Sequence, residues 1–155
     1  MRRRDPTVQM LLDLLDEGFD RPAWHGPTLL GSLRGVTEAR AARRPGRGRH
    51  NIWEIAVHAA YWKYIVARRL TGGAGGAFPL KGSNWFTRPA GGGRWKDDVA
   101  MLVEMHRRLR EVIAALPASA LHRRVARSHT AAYTIRGIAA HDLYHAGQIQ
   151  LIKRI

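Results

Sequence analysis

Apolar residues recur at intervals of three and four residues in four long segments, which is the spacing of one face of an α-helix. No segment shows the strict alternation of apolar and polar residues that is typical of a half-buried strand. The pattern therefore predicts an all-α fold, an up-down-type four-helix bundle in a single domain that spans residues 1–155. The predicted helices are residues 6–19, 51–70, 94–116 and 134–155. The inward stripe predicted for the third is Leu102, Met105, Leu109, Val112 and Leu116.

Local signals predict where these helices begin and end. Asn51 suits the N-cap of the second helix, and Glu54 three residues later favours a reciprocal cap. The third helix should end before Pro117, because the residue before a proline disfavours helical geometry. We expect Thr134 to cap the last helix.

The connections between the helices differ in length and composition. We expect short helical pieces within residues 27–34 and 37–48, followed by an exposed loop, and an extended or hairpin connection over residues 118–133. Residues 71–93 are rich in glycine and proline but also contain aromatic residues. A long crossover loop of this kind usually folds back over the domain as a lid or wall. Its aromatic residues are Phe78, Trp85 and Phe86.

The inward stripe of the last helix carries histidines where a simple bundle would have leucine. His141 and His145 are four residues apart, so they lie on one face of the helix, one turn apart. A third histidine, His58, occupies a core position of the second helix. Unpaired buried imidazoles cost free energy. Three such residues from two facing stripes predict a divalent metal site with open coordination positions. The stripes are Ile55, His58, Trp62, Ile65 and Arg69, and Ile138, His141, His145, Gln148 or Ile149, and Ile152.

The residues around this pair narrow the chemistry. The zinc-protease helix H-E-x-x-H needs a glutamate between its histidines, and Asp-Leu-Tyr stands there instead, which argues against a metalloprotease. Gln148 can hydrogen-bond a ligand or a metal-bound water, or it can satisfy backbone groups. Asp142 points about 100° away from His141, so we expect it to support the site or lie on the surface. Zn²⁺, Ni²⁺ and Fe²⁺ all accept imidazole, so the ligands do not choose among them. The alternative is that the histidines are hydrogen-bonded core residues.

Composition and charge limit the class of protein. The chain has no cysteine, which excludes disulfides, thiolate metal sites and cysteine nucleophiles. No apolar run approaches a membrane span, and the basic start is not followed by an apolar signal segment, so we expect a cytoplasmic protein. The net charge is +14. We interpret it as a solvated arginine-rich surface rather than as a nucleic-acid-binding surface, because the basic clusters at residues 2–4, 40–49 and 107–110 are not interleaved with aromatics.

Three stretches of the chain together resemble the DinB-like superfamily. They are residues 24–29 (WHGPTL), 52–62 (IWEIAVHAAYW) and 141–149 (HDLYHAGQI). The resemblance covers nearly the full chain, and its most specific motif is the C-terminal H-x-x-x-H-x-G-Q-I. It implies a four-helix bundle related to DNA-damage-inducible proteins and thiol-dependent transferases. It also implies that the metal triad is His58, His141 and His145.

The resemblance further implies a homodimer and a metal that is often zinc or nickel. Some relatives use a low-molecular-weight thiol, such as bacillithiol or mycothiol, as co-substrate. The leading hypothesis is therefore a metal-dependent enzyme that acts on a small molecule, as a thiol-dependent S-transferase or as a hydrolase. The competing hypothesis is a non-enzymatic, metal-stabilised module that uses its arginines to bind nucleic acid or another polyanion. We expect the substrate cleft to be lined by Trp24, His25, Trp62 and Trp85.

Overall fold

The structure, a computed structural model, describes residues 4–155, so Arg2 and Arg3 of the first basic cluster lie outside it. It confirms the all-α prediction, since helices dominate and the strands form one small antiparallel hairpin. In chain order the elements are α1 (Pro6–Phe19), α2 (Leu29–Ser32), α3 (Glu38–Ala42), α4 (Ile52–Leu70), α5 (Trp95–Ala114), a 3-10 helix (Ala118–His122), β1 (Arg124–Ala126), β2 (His129–Thr130) and α6 (Ala131–Ile152).

The N-cap observed for α4 is the one that the sequence predicted, whereas the N-cap of α6 is a different residue. Asn51 caps α4 by accepting a hydrogen bond from the Glu54 backbone N–H at 2.8 Å. The predicted reciprocal bond is wrong, because the Glu54 carboxylate instead pairs with Arg44 and His50. Thr134 was also expected as a cap, but Thr130 caps α6, accepting from the Tyr133 N–H at 3.2 Å. The hairpin leads directly into the helix, so α6 begins three residues earlier than its pattern predicted.

Helix α4 is the centre of the core, and it packs against both α5 and α6. Residues 52–60 are all buried, which includes His58 as expected. Beyond His58 the buried face is not the predicted stripe. Trp62 and Ile65 are only half-buried and Arg69 is exposed. The core positions there are Lys63, Tyr64, Val66 and Leu70.

Helix α5 shows a similar drift of its buried face. Leu102, Met105 and Leu109 are buried as predicted. Further along, Ile113 takes the core position in place of Val112, which is only half-buried. A straight helix with 3.6 residues per turn rotates slowly relative to a strict three-four spacing, which explains the one-residue shift. Among residues 4–155, no helix combines the length and the apolar character that a membrane crossing requires.

The long loop before α5 folds back over α4, as its aromatic residues predicted. Phe78 and Phe86 pack against each other, with ring centroids 5.4 Å apart, and Phe78 also contacts Tyr61 and Tyr64 of α4. Trp85 lies further along this wall, beside the histidines. The loop therefore covers the tyrosines of α4 and reaches the histidines.

A fully buried ion pair joins the two helices that carry the histidines. The Lys63 ammonium of α4 donates to Asp142 of α6, and both side chains are 0% exposed. Burial raises the pKa of the Asp142 carboxyl, and the Lys63 ammonium opposes that rise. The second carboxylate oxygen of Asp142 has no hydrogen-bond partner within residues 4–155. The expectation that Asp142 lies on the surface is therefore wrong, because its carboxylate is taken up by a buried lysine.

We predict that Lys63→Met destabilises the metal-free protein by about 3–5 kcal/mol, because it leaves a buried, uncompensated carboxylate. Adding Asp142→Leu should restore most of that stability, since an apolar pair removes both charges. Denaturant unfolding measures both variants. Arg94→Met is the control, because the Arg94–Asp97 pair is exposed. The prediction fails if Lys63→Met costs no more stability than this control.

Candidate metal centre

The structure brings together the three histidines that the sequence selected. His58 projects from α4, and His141 and His145 project from α6. Nε2 of His141 lies 3.1 Å from Nε2 of His58 and 3.0 Å from Nε2 of His145. One ligand atom from each of the three residues lies within 4.8 Å of the other two. Two facing helices therefore direct three imidazole nitrogens at one small space.

Hydrogen bonds at the opposite ring nitrogens determine which nitrogen points into this space. His58 Nδ1 donates to the Asn84 carbonyl at 2.8 Å, and His145 Nδ1 donates to Gln148 Oε1 at 2.7 Å. The amide of Gln148 has its oxygen on this side, and its nitrogen donates to the Tyr144 hydroxyl at 3.2 Å. A neutral imidazole has one N–H. Nε2 of both histidines must therefore carry a lone pair.

Hydrogen bonds among the three facing Nε2 atoms of His58, His141 and His145 cannot satisfy all of them. Its Nε2 can donate one hydrogen, to either His58 or His145, so the other contact sets two lone pairs against each other. A cation at the shared point satisfies all three lone pairs at once. Separations of 3.0 and 3.1 Å suit nitrogens that are each about 2.0–2.1 Å from one ion. The donor set therefore fits a divalent transition metal, which the three residues would hold.

The protonation of the three rings agrees with this fit. Burial, together with the neighbouring His145 and His58, lowers the pKa of His141 to about 3. Burial also lowers the pKa of His145 to about 4, against the effect of its bond to Gln148. The pKa of His58 is lowered by burial as well. All three imidazoles are therefore neutral at physiological pH, which is the form that binds a metal.

Asn84 holds the wall of the site in place and was not found from the sequence. Its backbone has a positive φ of 63°, a conformation that asparagine tolerates better than most residues. In this conformation its carbonyl accepts from His58 and its side-chain oxygen accepts from Trp62 Nε1 at 2.9 Å. The neighbouring Trp85 stacks on His58 with ring centroids 3.8 Å apart, and His50 stacks on Trp85 at 3.6 Å. The loop therefore shields one side of the cluster from water.

Two clefts border the histidines on the sides that the loop leaves open. The larger, which we call the His145 cleft, has a volume of about 610 Å³, within the usual range for small-molecule sites. Its lining includes Ile55, Trp85, Tyr144, His145, Gln148 and Leu151. The smaller, which we call the Arg69 cleft, has a volume of about 180 Å³ and is lined by Trp62, Val66, Arg69, His129, Tyr133, Thr134, Gly137, Ile138 and His141.

The predicted cleft residues do not all lie at these openings. Trp85 lines the His145 cleft and Trp62 lines the Arg69 cleft. Trp24 and His25 are exposed and line neither of them, so the structure does not bring these two residues to the histidines. They belong to the turn before α2, where residues 24–27 are all exposed. Among the remaining histidines, His106 is buried against Phe19, with ring centroids 3.7 Å apart.

An all-α chain with three converging imidazoles fits the class of helical metal-binding proteins. The model of the DinB superfamily matches residues 23–149, so the chain belongs to that superfamily. No match was found among curated proteins or among solved structures. The family match confirms the resemblance seen in the sequence, and it spans all three histidines.

We predict that metal affinity changes less than about tenfold between pH 7 and pH 5. Protons do not compete for rings whose pKa values are lowered to about 3 and about 4. Three histidines with the ordinary pKa of about 6.5 would instead lose affinity about 10⁴-fold over this range. Competition with a chelator measures the affinity, after correction for the chelator's own pH dependence. A loss near 10⁴-fold would contradict the assigned environment.

The same shifts give the metal-free protein a stability that declines in acid. The unfolded chain protonates its histidines below about pH 6.5, whereas the folded chain does so only at lower pH. The unfolded state therefore binds more protons in this window, and the free energy of unfolding decreases as the pH falls from about 6.5 toward 4. Affinity should for this reason be measured at pH values where circular dichroism shows an intact fold.

Proposed function

We propose that this protein is a metal-dependent enzyme that uses one divalent ion held by His58, His141 and His145. The observation that supports it best is the convergence of three Nε2 lone pairs between two clefts. Zinc or nickel is the proposed metal, with iron as an alternative, because imidazole suits all three ions. The proposed reaction is thiol-dependent S-transfer, in which the sulfur of a low-molecular-weight thiol bonds to an electrophilic small molecule and displaces its leaving group, or hydrolysis of a small-molecule substrate.

The residues around this site have different roles in the proposed function. The three histidines would hold the ion, and His141 and His145 would place it beside the two clefts. When bound, the ion would lower the pKa of a coordinated water or thiol and so supply a nucleophile near neutral pH. Gln148 keeps His145 in the tautomer that presents Nε2, as supporting residues do in many metal sites. Trp85 covers His58 and excludes water from that side.

The His145 cleft is the proposed place for the substrate. Its walls are mainly apolar, with Ile55, Leu151 and the indole of Trp85. The Tyr144 hydroxyl and the Gln148 amide are polar groups beside His145. A small number of polar groups in an apolar cleft is typical of small-molecule sites.

The arginine surface favours the enzyme over the polyanion-binding module. Several arginines in the dense basic clusters have acidic or backbone partners, which reduces the charge that they offer to a polyanion. Arg44 pairs with Glu54, and Arg107 and Arg108 pair with Glu104. Further pairs are Arg88 with Asp98 and Arg110 with Asp16.

The assembly of the protein is proposed from the family resemblance, and its location from the expectation based on the sequence. We propose a homodimer in the cytoplasm. Sedimentation equilibrium should give a mass near twice 17.4 kDa, and a mass of one chain at micromolar concentration would exclude the dimer. Cell fractionation tests the location.

We predict about one transition metal ion per chain in protein purified without a histidine tag. His145→Ala should lose this ion, because two imidazoles remain and the open site becomes larger. His122→Ala is the matched control, since His122 is exposed and lies outside the cluster. Elemental analysis measures the content. Full occupancy in a variant with all three histidines changed to alanine would disprove the site.

Activity is a separate question from metal content. Thiol cofactors combined with electrophilic small molecules, and hydrolysable esters and amides, should show turnover that the metal-loaded protein supports and the His145→Ala variant does not. A chain that binds the metal but shows no metal-dependent turnover across such a panel would favour the non-enzymatic module.

A further inference from the structure

Gly137 of α6 lines the Arg69 cleft, although the backbone conformation does not require a glycine there. Gly137 lies inside α6, where glycine costs about 1 kcal/mol relative to alanine. Its φ is not in the left-handed region, and a Cβ at this position would meet nothing within 4 Å. Gly137 precedes His141 by one turn on the same face. The missing side chain therefore keeps open a space directly beside a proposed metal ligand.

Two arginines without acidic partners lie at or near the cleft, and one of them, Arg69, lines it. Arg69 is exposed, and its guanidinium lies over the Trp62 ring, 5.7 Å from the ring centroid. Arg136 does not line the cleft, but it lies over Tyr133, which does, 6.0 Å from the ring centroid. Within residues 4–155 neither arginine forms a salt bridge, and six of the twelve acidic residues of the chain are paired with other arginines.

The aromatic rings hold these cations in place. A guanidinium over an indole or phenol ring gains cation–π attraction and loses side-chain freedom. Tyr133 is in turn stacked on His129, with ring centroids 4.4 Å apart. Arg69 is therefore positioned at the entrance before any ligand arrives, and its fork of N–H donors matches a planar carboxylate.

We propose that the Arg69 cleft admits a small organic carboxylate with a compact apolar body. The carboxylate binds Arg69, and the apolar body lies against Ile138 and over Gly137, in the space beside His141. The volume of about 180 Å³ limits the ligand to a small molecule. Its approach to a metal rests on the proposed function, but its binding in the cleft does not require the metal.

The test compares benzoate with benzamide, a neutral molecule of nearly the same shape. Calorimetric titration of the metal-free and the metal-loaded full chain gives the affinities. We expect benzoate to bind about tenfold tighter than benzamide, in line with a hydrogen-bonded charge contact. Arg69→Gln should remove this preference. Arg34→Gln is its control, because Arg34 is exposed and lines neither cleft.

A second pair of variants tests the floor of the cleft. Gly137→Leu fills the space beside His141 and should abolish the binding of both probes. Gly147→Leu is the matched control, since Gly147 lies on the same helix, has nothing within 4 Å of a built Cβ and lines neither cleft. It should leave both affinities unchanged. If Gly137→Leu disturbs the circular dichroism spectrum, Gly137→Ala takes its place and should weaken both probes.

The possible results separate this proposal from the proposed function. Unchanged benzoate affinity in folded Gly137→Leu, or an unchanged preference in Arg69→Gln, overturns the carboxylate assignment even if the chain carries its metal. Absence of benzoate binding to the wild-type protein overturns it as well. If the purified chain proves unable to bind a metal, but benzoate binding still depends on Arg69 and Gly137, the cleft is supported and only the proposed function is overturned.

Discussion

Each of the three central histidines has one nitrogen left for the space that they share, because the opposite nitrogen is either bonded or buried. His58 and His145 donate their single ring N–H, at Nδ1, to Asn84 and Gln148 respectively. His141 keeps its Nδ1 buried, with no partner in residues 4–155. Burial also disfavours a second proton on any of the rings. The cluster is therefore electron-rich and short of protons, and a metal cation is the simplest partner that satisfies it.

The rest of the fold can be understood as the support for this arrangement. The ligands come from α4 and α6, whose mutual position is set in part by the buried pair of Lys63 and Asp142. Such a pair contributes little net stability compared with an apolar pair. It does, however, fix how the two helices align, since any sliding would separate the charges. The loop supplies the remaining support through Asn84 and Trp85.

The sequence predicted the parts of this picture that depend on local spacing. The four long helices and the cap at Asn51 follow from periodicity and capping rules, and the three histidines follow from their positions within stripes. Lys63 could not be found in this way, because a lysine at a core position looks like an exposed residue until its partner is known. The buried faces of α4 and α5 also drifted by one residue, which depends on helix packing rather than on spacing.

The contacts that the loop makes could not be predicted from the sequence either. Aromatic content predicted that residues 71–93 would cover the domain, but it did not show which aromatic would meet the histidines. Trp85 reaches His58, whereas Trp24 in an equally distinctive motif is left exposed. That difference arises from tertiary packing, since only the first tryptophan belongs to a segment held against α4.

The central claim is that three imidazole nitrogens of this chain bind one metal ion. X-ray absorption spectroscopy of the metal-loaded protein tests it most directly, because outer-shell scattering from imidazole rings identifies histidine ligands and their number. The account predicts three imidazole ligands at about 2.0–2.1 Å, together with lighter scatterers at the open positions. A first shell without imidazole, or one that is unchanged when His58, His141 and His145 are all replaced by alanine, would contradict it.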